Sequence, residues 1–144
     1  MTGMSETNKA IVRRLVEEAQ QNGNHETIDE LLAEDFVDRT PLPGLRGDRD
    51  SIHILFDSLR SAFHNMRVTI SEQIADDYKV VTRKTFTGTH GGPFLGIPPS
   101  GRPIDLEVVD IITLNGGKIV EHRVIFDQLT LLRQLGAIPE APAA

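Results

Sequence analysis

The chain has 144 residues, no cysteine and a formal net charge of −6 at pH 7. This length suits one domain with a core of its own. The acidic balance argues against nucleic acid or an anionic membrane surface as the main partner. Without cysteine there is no disulfide, thiolate nucleophile or Cys-ligated metal. Because there is no apolar targeting segment or membrane-length run, we expect a cytoplasmic protein with no membrane partner.

The first half of the chain predicts three helices. Apolar residues at helical spacing indicate one from Ser5 to Asn22, a shorter one over residues 25–33, and a third from Asp48 or Asp50 to His64. Between the second and third helices, residues 35–38 indicate a short extended piece followed by a loop rich in proline and glycine.

The second half predicts a sheet. Runs rich in Val, Ile and Thr indicate strands over residues 66–75, 78–90, 104–114 and 118–127, and a last helix follows over 128–135. Helices followed by a run of antiparallel strands are typical of an α+β fold. We expect a single domain over residues 1–144, with its core at about 8–136 and a tail at 137–144. In it, helices wrap a strongly curved antiparallel sheet to make a cone-shaped barrel, whose open end supplies a ligand pocket.

The hairpin between the last two strands decides which residues share a face. A three-residue loop, Asn115 to Gly117, pairs Asp110 with His122. A two-residue turn would shift the pairing by one residue and separate the two. We favour the three-residue loop because it makes the apolar faces coincide. The face that it predicts consists of Val108, Asp110, Ile112, Val120, His122, Val124 and Phe126.

Asp110 and His122 are the predicted catalytic residues. In an apolar pocket each would shift the pKa of the other. A neutral imidazole can then take a proton from carbon while the carboxylate orients it. The alternative is a hydrogen-bonded pair that only lines the cavity, since buried polar groups need partners in any case.

Several other residues are candidates for the same site. Asp38 is predicted to bind substrate at the pocket rim, or to cap a turn. Of the adjacent residues Arg83 and Lys84, one must face inward or lie near the sheet edge, and the sequence leaves open which. Asp127 is predicted to cap the last helix. The histidines show no metal-ligand spacing, so no metal is expected. The apolar residues predicted to contact substrate are Phe86, Phe94, Val108, Ile112, Val124 and Phe126.

Five motifs keep an order and spacing that resemble a known family. They are residues 35–38 (DFVD), 86–90 (FTGTH), 94–102 (FLGIPPSGR), 117–122 (GKIVEH) and 127–136 (DQLTLLRQLG). Together they resemble the SnoaL-like polyketide cyclases, in the ester-cyclase-like branch of the NTF2-like superfamily. The resemblance runs from about residue 8 to residue 136.

The resemblance implies a cone-shaped barrel with an apolar pocket and a dimer formed through the outer sheet face. It also implies ring closure by intramolecular aldol condensation without metal or organic cofactor. Such cyclases use an aspartate on the last long strand and a histidine on the strand before it. In this chain Val124 occupies the aspartate position and Asp110 the histidine position. His122 lies one inward residue earlier, which would reverse the arrangement.

We therefore expect a cofactor-independent enzyme acting on an apolar, oxygenated small molecule. The expected chemistry is proton abstraction next to a carbonyl, followed by aldol ring closure or isomerisation. A non-catalytic binding or accessory protein is the alternative, favoured by Val124. A third reading is a hydrolase similar to the epoxide hydrolases. On the outer sheet face, Val109, Ile111 and Ile125 predict a homodimer.

Overall fold

The computed structural model describes residues 3–139. These residues form four α-helices, a π-helical segment and five strands. In chain order they are α1 (Met4–Arg14), the π segment (Leu15–Gln21), α2 (His25–Leu31), β1 (Leu32–Asp38), α3 (Arg49–Ala62), β2 (Phe63–Ala75), β3 (Lys79–His90), β4 (Pro103–Asn115), β5 (Lys118–Phe126) and α4 (Gln128–Gln134). The predicted α+β class, with helices before most of the strands, is confirmed.

The sheet is mixed, where an all-antiparallel sheet was predicted. Its strand order is β1-β5-β4-β3-β2. Strands β2 to β5 are antiparallel to their neighbours, but β1 pairs with β5 in parallel. The predicted extended piece at 35–38 is the second half of this edge strand, which begins at Leu32 because that residue leaves the helical conformation and pairs with Ile119. The parallel pairing brings Asp38 beside His122.

The helices cover one face of the curved sheet and bury an apolar core against it. One stripe of α3, which includes Ile52 and Phe56, packs with Val12 of α1 against Val80 and Ile112 of the sheet. A second cluster joins Phe63, Phe86 and Phe94 to Leu131 and Leu135 at α4. Each such burial stabilises the fold by about 1.5–3 kcal/mol. No helix within residues 3–139 is long and apolar enough to span a membrane.

The predicted first helix changes its winding halfway. From Leu15 onward the turns widen into the π segment, a geometry that occurs often at functional sites. At the end of the π segment, two glutamine side chains point toward the sheet. The Oε1 atom of Gln21 accepts a hydrogen bond from the backbone N–H of Val68 at 2.8 Å, and that of Gln20 accepts one from Lys84 Nζ at 2.8 Å.

The β4–β5 hairpin has a two-residue turn, so the predicted three-residue loop is wrong. Asn115 pairs with Lys118, and Gly116 and Gly117 form the turn with φ of 57° and 79°. Positive φ at both positions matches the right-handed twist of the strands and favours glycine.

A β-bulge at Val120 returns the side chains at 122, 124 and 126 to the inner face of the sheet, as predicted. Leu114 pairs with Ile119 but Thr113 pairs with Glu121, so Val120 has no partner across the ladder. A regular ladder would turn His122 to the outer face. With the bulge, Asp110 pairs with Val124 and Ile112 with His122. Asp110 and His122 are therefore diagonal neighbours on the inner face, and Ile119, at 1% exposure, takes the inward position predicted for Val120.

We expect the outer face of this hairpin to form a dimer contact. Ile125 is 60% exposed there, beside the half-buried Val109 and Ile111. Ile125→Glu should then convert a dimer into a 15.9 kDa monomer, because a buried carboxylate would oppose the contact. Sedimentation at micromolar concentration measures this, with Leu129→Glu, an exposed residue on α4, as the matched control. An unmodified chain that sediments as a monomer would show the dimer prediction to be wrong.

Candidate active site

A cavity of about 140 Å³ lies between the helices and the sheet. One water molecule needs only about 10–15 Å³ on this measure, so an organic ligand of several atoms has room. The walls are apolar except at one place, which we call the polar cluster. Among the residues that the structure describes, it consists of Gln20, Asp38, Thr40, Lys84, Asp110 and His122.

All of the site residues predicted from the sequence line this cavity. Alternate residues of the strands supply them, since side chains two apart share a face. They are Phe86 from β3, Val108, Asp110 and Ile112 from β4, His122, Val124 and Phe126 from β5, Asp38 from β1, and Phe94 from the loop after β3. Their roles in catalysis or substrate binding remain predictions.

His122 lies between two carboxylates. Its Nε2 is 2.8 Å from Asp110 Oδ1, and its Nδ1 is 3.0 Å from Asp38 Oδ1. The bulge in β5 supplies the first contact and the parallel pairing with β1 supplies the second. Both ring nitrogens are therefore occupied by acceptors.

Lys84 completes the cluster on the far side of Asp110. Its Nζ donates to Asp110 Oδ2 at 2.5 Å and to Gln20 Oε1 at 2.8 Å, and the residue is only 5% exposed. Arg83 faces outward and pairs with Glu72 and Glu107 at 3.0 and 3.1 Å. Of the two basic residues, Lys84 is therefore the inward one.

Gln20 and Thr40 of the polar cluster were not predicted from the sequence, and Lys84 was left open against Arg83. The buried residues Val80, Thr82 and Phe86 alternate in step with Lys84, and this parity was a signal for its inward direction. Gln20 gave no such signal, because a regular helix and a π turn have the same residue pattern in sequence.

Asp38 is held from three sides, which fixes its carboxylate at the cavity. Its Oδ1 accepts from the backbone N–H of Thr40 at 3.0 Å as well as facing His122, so it also caps a turn. Its backbone N–H donates to the carbonyl of Gly47 at 2.7 Å. Gly47 has φ +83°, and a Cβ there would lie 2.7 Å from the Asp38 carbonyl oxygen. Asp38 Oδ2 makes no hydrogen bond to any described residue.

Charges alternate along the cluster at neutral pH. Burial alone would raise the pKa of Asp110, but Lys84 and His122 outweigh it and lower the pKa to about 2. Burial would likewise lower the pKa of His122, but its hydrogen bonds to Asp110 and Asp38 raise the pKa to about 9. The resting ring is thus an imidazolium, where the sequence analysis expected a neutral imidazole.

Asp127 lies outside the cavity and caps α4, as predicted. Its Oδ1 accepts from the backbone N–H of Thr130 at 3.0 Å. Within residues 3–139, no group of three or more histidines or carboxylates is arranged to hold a metal ion.

The fold and the cavity define an NTF2-like α+β protein with a pocket of small-molecule size. Residues 10–135 match the family of SnoaL-like polyketide cyclases. The chain therefore belongs to that family, and the resemblance of its motifs is confirmed. The family binds small-molecule substrates, and membership supports a cyclase-like function.

Solved structures agree with this assignment. A protein assigned to the SnoaL-like polyketide cyclases from Jannaschia sp. CCS1 is 26% identical, with a TM-score of 0.85 over 96% of this chain and 98% of that one. IdmH from Streptomyces antibioticus, assigned as a polyketide cyclase, is 31% identical, with a TM-score of 0.76 over 90% and 98%. TsrD from Streptomyces laurentii is 29% identical, with a TM-score of 0.80 over 90% and 98%.

Two further comparisons add less. An LEH-like epoxide hydrolase from M. tuberculosis is 19% identical with a TM-score of 0.71, which shows a shared fold alone. Among curated proteins, no sequence matches this chain.

The raised pKa of His122 predicts that stability falls in alkaline solution. A group whose pKa is higher in the folded chain stabilises it below the unfolded value of 6.5, and the effect is lost as pH rises through about 9. The loss should be roughly 3 kcal/mol, from about 1.4 kcal/mol per pKa unit. Urea unfolding over this pH range measures it. His122→Gln should remove the alkaline step, and an equal step in that variant would contradict the assignment.

Removing the imidazolium should lower the free energy of unfolding even at a pH where the His122 ring is charged. In His122→Gln, Asp38 loses its ion-pair partner, and Asp110 keeps Lys84 alone among the described residues. Such losses at buried carboxylates cost about 3–5 kcal/mol. Arg123→Gln removes a positive charge from the exposed neighbour on the same strand and should cost under about 0.5 kcal/mol. Urea unfolding at about pH 6 compares the two. Equal costs would show that the pairing contributes little.

Proposed function

We propose that this protein is a cofactor-independent enzyme that removes a proton from a carbon next to a carbonyl group. Ring closure by aldol addition, or isomerisation, follows on an apolar, oxygenated substrate. The observation that carries this proposal is the polar cluster, because an otherwise apolar cavity gathers carboxylates, an imidazolium and an ammonium at one place. The apolar walls would hold the carbon skeleton and the cluster would meet its oxygens.

Asp38 is the proposed proton acceptor. Both oxygens of Asp110 are occupied, by His122 and Lys84, whereas Asp38 Oδ2 makes no hydrogen bond to any described residue. The His122 ring has no nitrogen lone pair to offer while it holds two carboxylates. Asp38 therefore takes the proton transfer that the sequence analysis assigned to His122, and His122 and Asp110 act with it as one acid–base group.

The proposed reaction returns the proton that it removes. Asp38 takes the proton from the carbon, and the resulting enolate carbon attacks a second carbonyl of the same molecule. The C–H bond breaks, a C–C bond forms, and the carboxylic acid gives its proton to the new alkoxide. Because the electrons and the proton balance within substrate and carboxylate, the step requires no oxidant, reductant or organic cofactor.

Val124 favours a second candidate, a binding or accessory protein without turnover. It lines the cavity opposite Asp110 and contributes no titratable group at the position where the resemblance implies the family's aspartate. In that case the polar cluster would only orient an oxygenated ligand. The two candidates differ in whether bound ketones lose their α-protons.

Deuterium exchange separates these candidates. In D₂O, the protein should exchange the α-protons of α-tetralone or 2-acetylnaphthalene faster than buffer does, because both are apolar aromatic ketones. Asp38→Asn should lower the rate by roughly 10²–10⁴-fold, since the proton acceptor is lost. Proton NMR measures the exchange.

Asp35→Asn is the matched control, because Asp35 is an exposed carboxylate on the same strand. It should leave the exchange rate unchanged. Saturation-transfer NMR reports binding independently. Binding of both ketones without exchange above the buffer rate would contradict the enzyme proposal and support the binding protein.

A further inference from the structure

Lys84 is a charged residue in a place that usually excludes one. It lies on β3 between the buried residues Thr82 and Phe86, and its side chain lines the cavity. Lysine is almost never fully buried unless it is paired. Asp110 provides that pairing at 2.5 Å, but the mechanism above gives the ammonium no part in the chemistry.

The hydrogen bonds of Lys84 leave one donor for a ligand. An ammonium group has three N–H donors and no acceptor. Asp110 Oδ2 and Gln20 Oε1 take two of them, and Nζ makes no further hydrogen bond to a described residue. Because the nitrogen is held as a donor by two acceptors, it suits binding an oxygen and does not suit nucleophilic attack.

The charge balance of the cluster changes when a substrate loses its proton. At rest the Lys84 ammonium and the His122 imidazolium balance the carboxylates of Asp38 and Asp110. Once Asp38 is protonated, the cluster carries one excess positive charge and the substrate carries one negative charge on its enolate oxygen. Attraction between opposite charges is much stronger in a buried site than in water, and fixed donors there need no reorganisation.

We propose that Lys84 is a catalytic residue that binds the carbonyl oxygen of the substrate and stabilises it as an enolate. This inference rests on the proposed function, since it names the group that receives the negative charge created by Asp38. It also defines the ligand class of the polar cluster as enols, phenols and 1,3-dicarbonyl compounds, which can bind as their oxyanions. Gln20 positions the ammonium from the π segment.

A phenol tests this assignment without any turnover. 4-Nitrophenol absorbs visible light only as its phenolate, so a pH titration with and without protein gives the pKa of the bound probe. We expect binding to lower that pKa by about one unit or more, which is about a tenfold preference for the phenolate. Lys84→Met should reduce this preference for the phenolate at least tenfold.

Arg83→Met is the matched control. It removes one positive charge from the adjacent residue of the same strand, on the outer face, where Arg83 pairs with Glu72 and Glu107. It should leave the pKa of bound 4-nitrophenol unchanged. Asp110→Asn supplies a second contrast, because removing the anion beside the ammonium should strengthen the phenolate preference. A lysine that served only to hold Asp110 would give no such gain.

Lys84→Met leaves Asp110 with one cationic partner and could fail to fold. The double variant Lys84→Met with Asp110→Asn leaves no unpaired carboxylate at that place and should show the same loss of phenolate preference.

Phenolate preference that persists in Lys84→Met or the double variant would overturn the proposal, as would failure of 4-nitrophenol to bind the unmodified protein. Ketone exchange without phenolate preference would overturn the Lys84 assignment alone. Phenolate preference without exchange would leave Lys84 as an oxyanion site and contradict the enzyme proposal.

Discussion

The pairing of buried charges is the constraint on which the rest of the cavity depends. An ionised group moved out of water costs several kcal/mol unless partners of opposite charge and hydrogen bonds compensate. Asp110 meets this requirement on both oxygens, through Lys84 on one side and His122 on the other. His122 in turn needs a second carboxylate, which is Asp38. The cost of burying each charged group of the polar cluster is thus offset only while its neighbours are present.

Four features of the backbone bring these partners together. The bulge at Val120 keeps His122 on the inner face after a two-residue turn that would otherwise reverse it. The parallel edge strand β1 places Asp38 beside His122, and Gly47 allows the following loop to close on Asp38. The π segment carries Gln20 to Lys84. At the polar cluster these features supply side-chain directions that regular elements do not.

The sequence predicted the elements and most of the cavity wall because those depend on local patterns. Alternation along each strand was enough to put Phe86, Val108 and Phe126 on one face. The hairpin shows the limit of such reasoning. The predicted register paired Asp110 with His122, whereas the structure pairs Asp110 with Val124, two residues further along β5. Because a shift of two residues keeps every side chain on its face, the predicted face was right although the predicted loop was wrong. The parallel partner of β1 could not be predicted, because an isolated edge strand carries no sign of which strand it will join or in which direction. The contact between Asp38 and His122 depended on that pairing.

The polar cluster also bears on whether the cavity performs chemistry. An apolar ligand could be held by apolar walls alone, and replacing a buried ion pair by apolar residues is often neutral or stabilising. Apolar residues of similar volume could therefore stabilise the fold as well as the four charges at this cavity do. One hydrogen-bonding group would be enough to orient a single carbonyl, whereas proton transfer needs an acceptor for the proton and a separate place for the negative charge. His122 and Asp110 connect Asp38, the proposed proton acceptor, to Lys84, the proposed oxyanion site. The polar cluster therefore offers both groups, even though Val124 stands where the family's aspartate is expected.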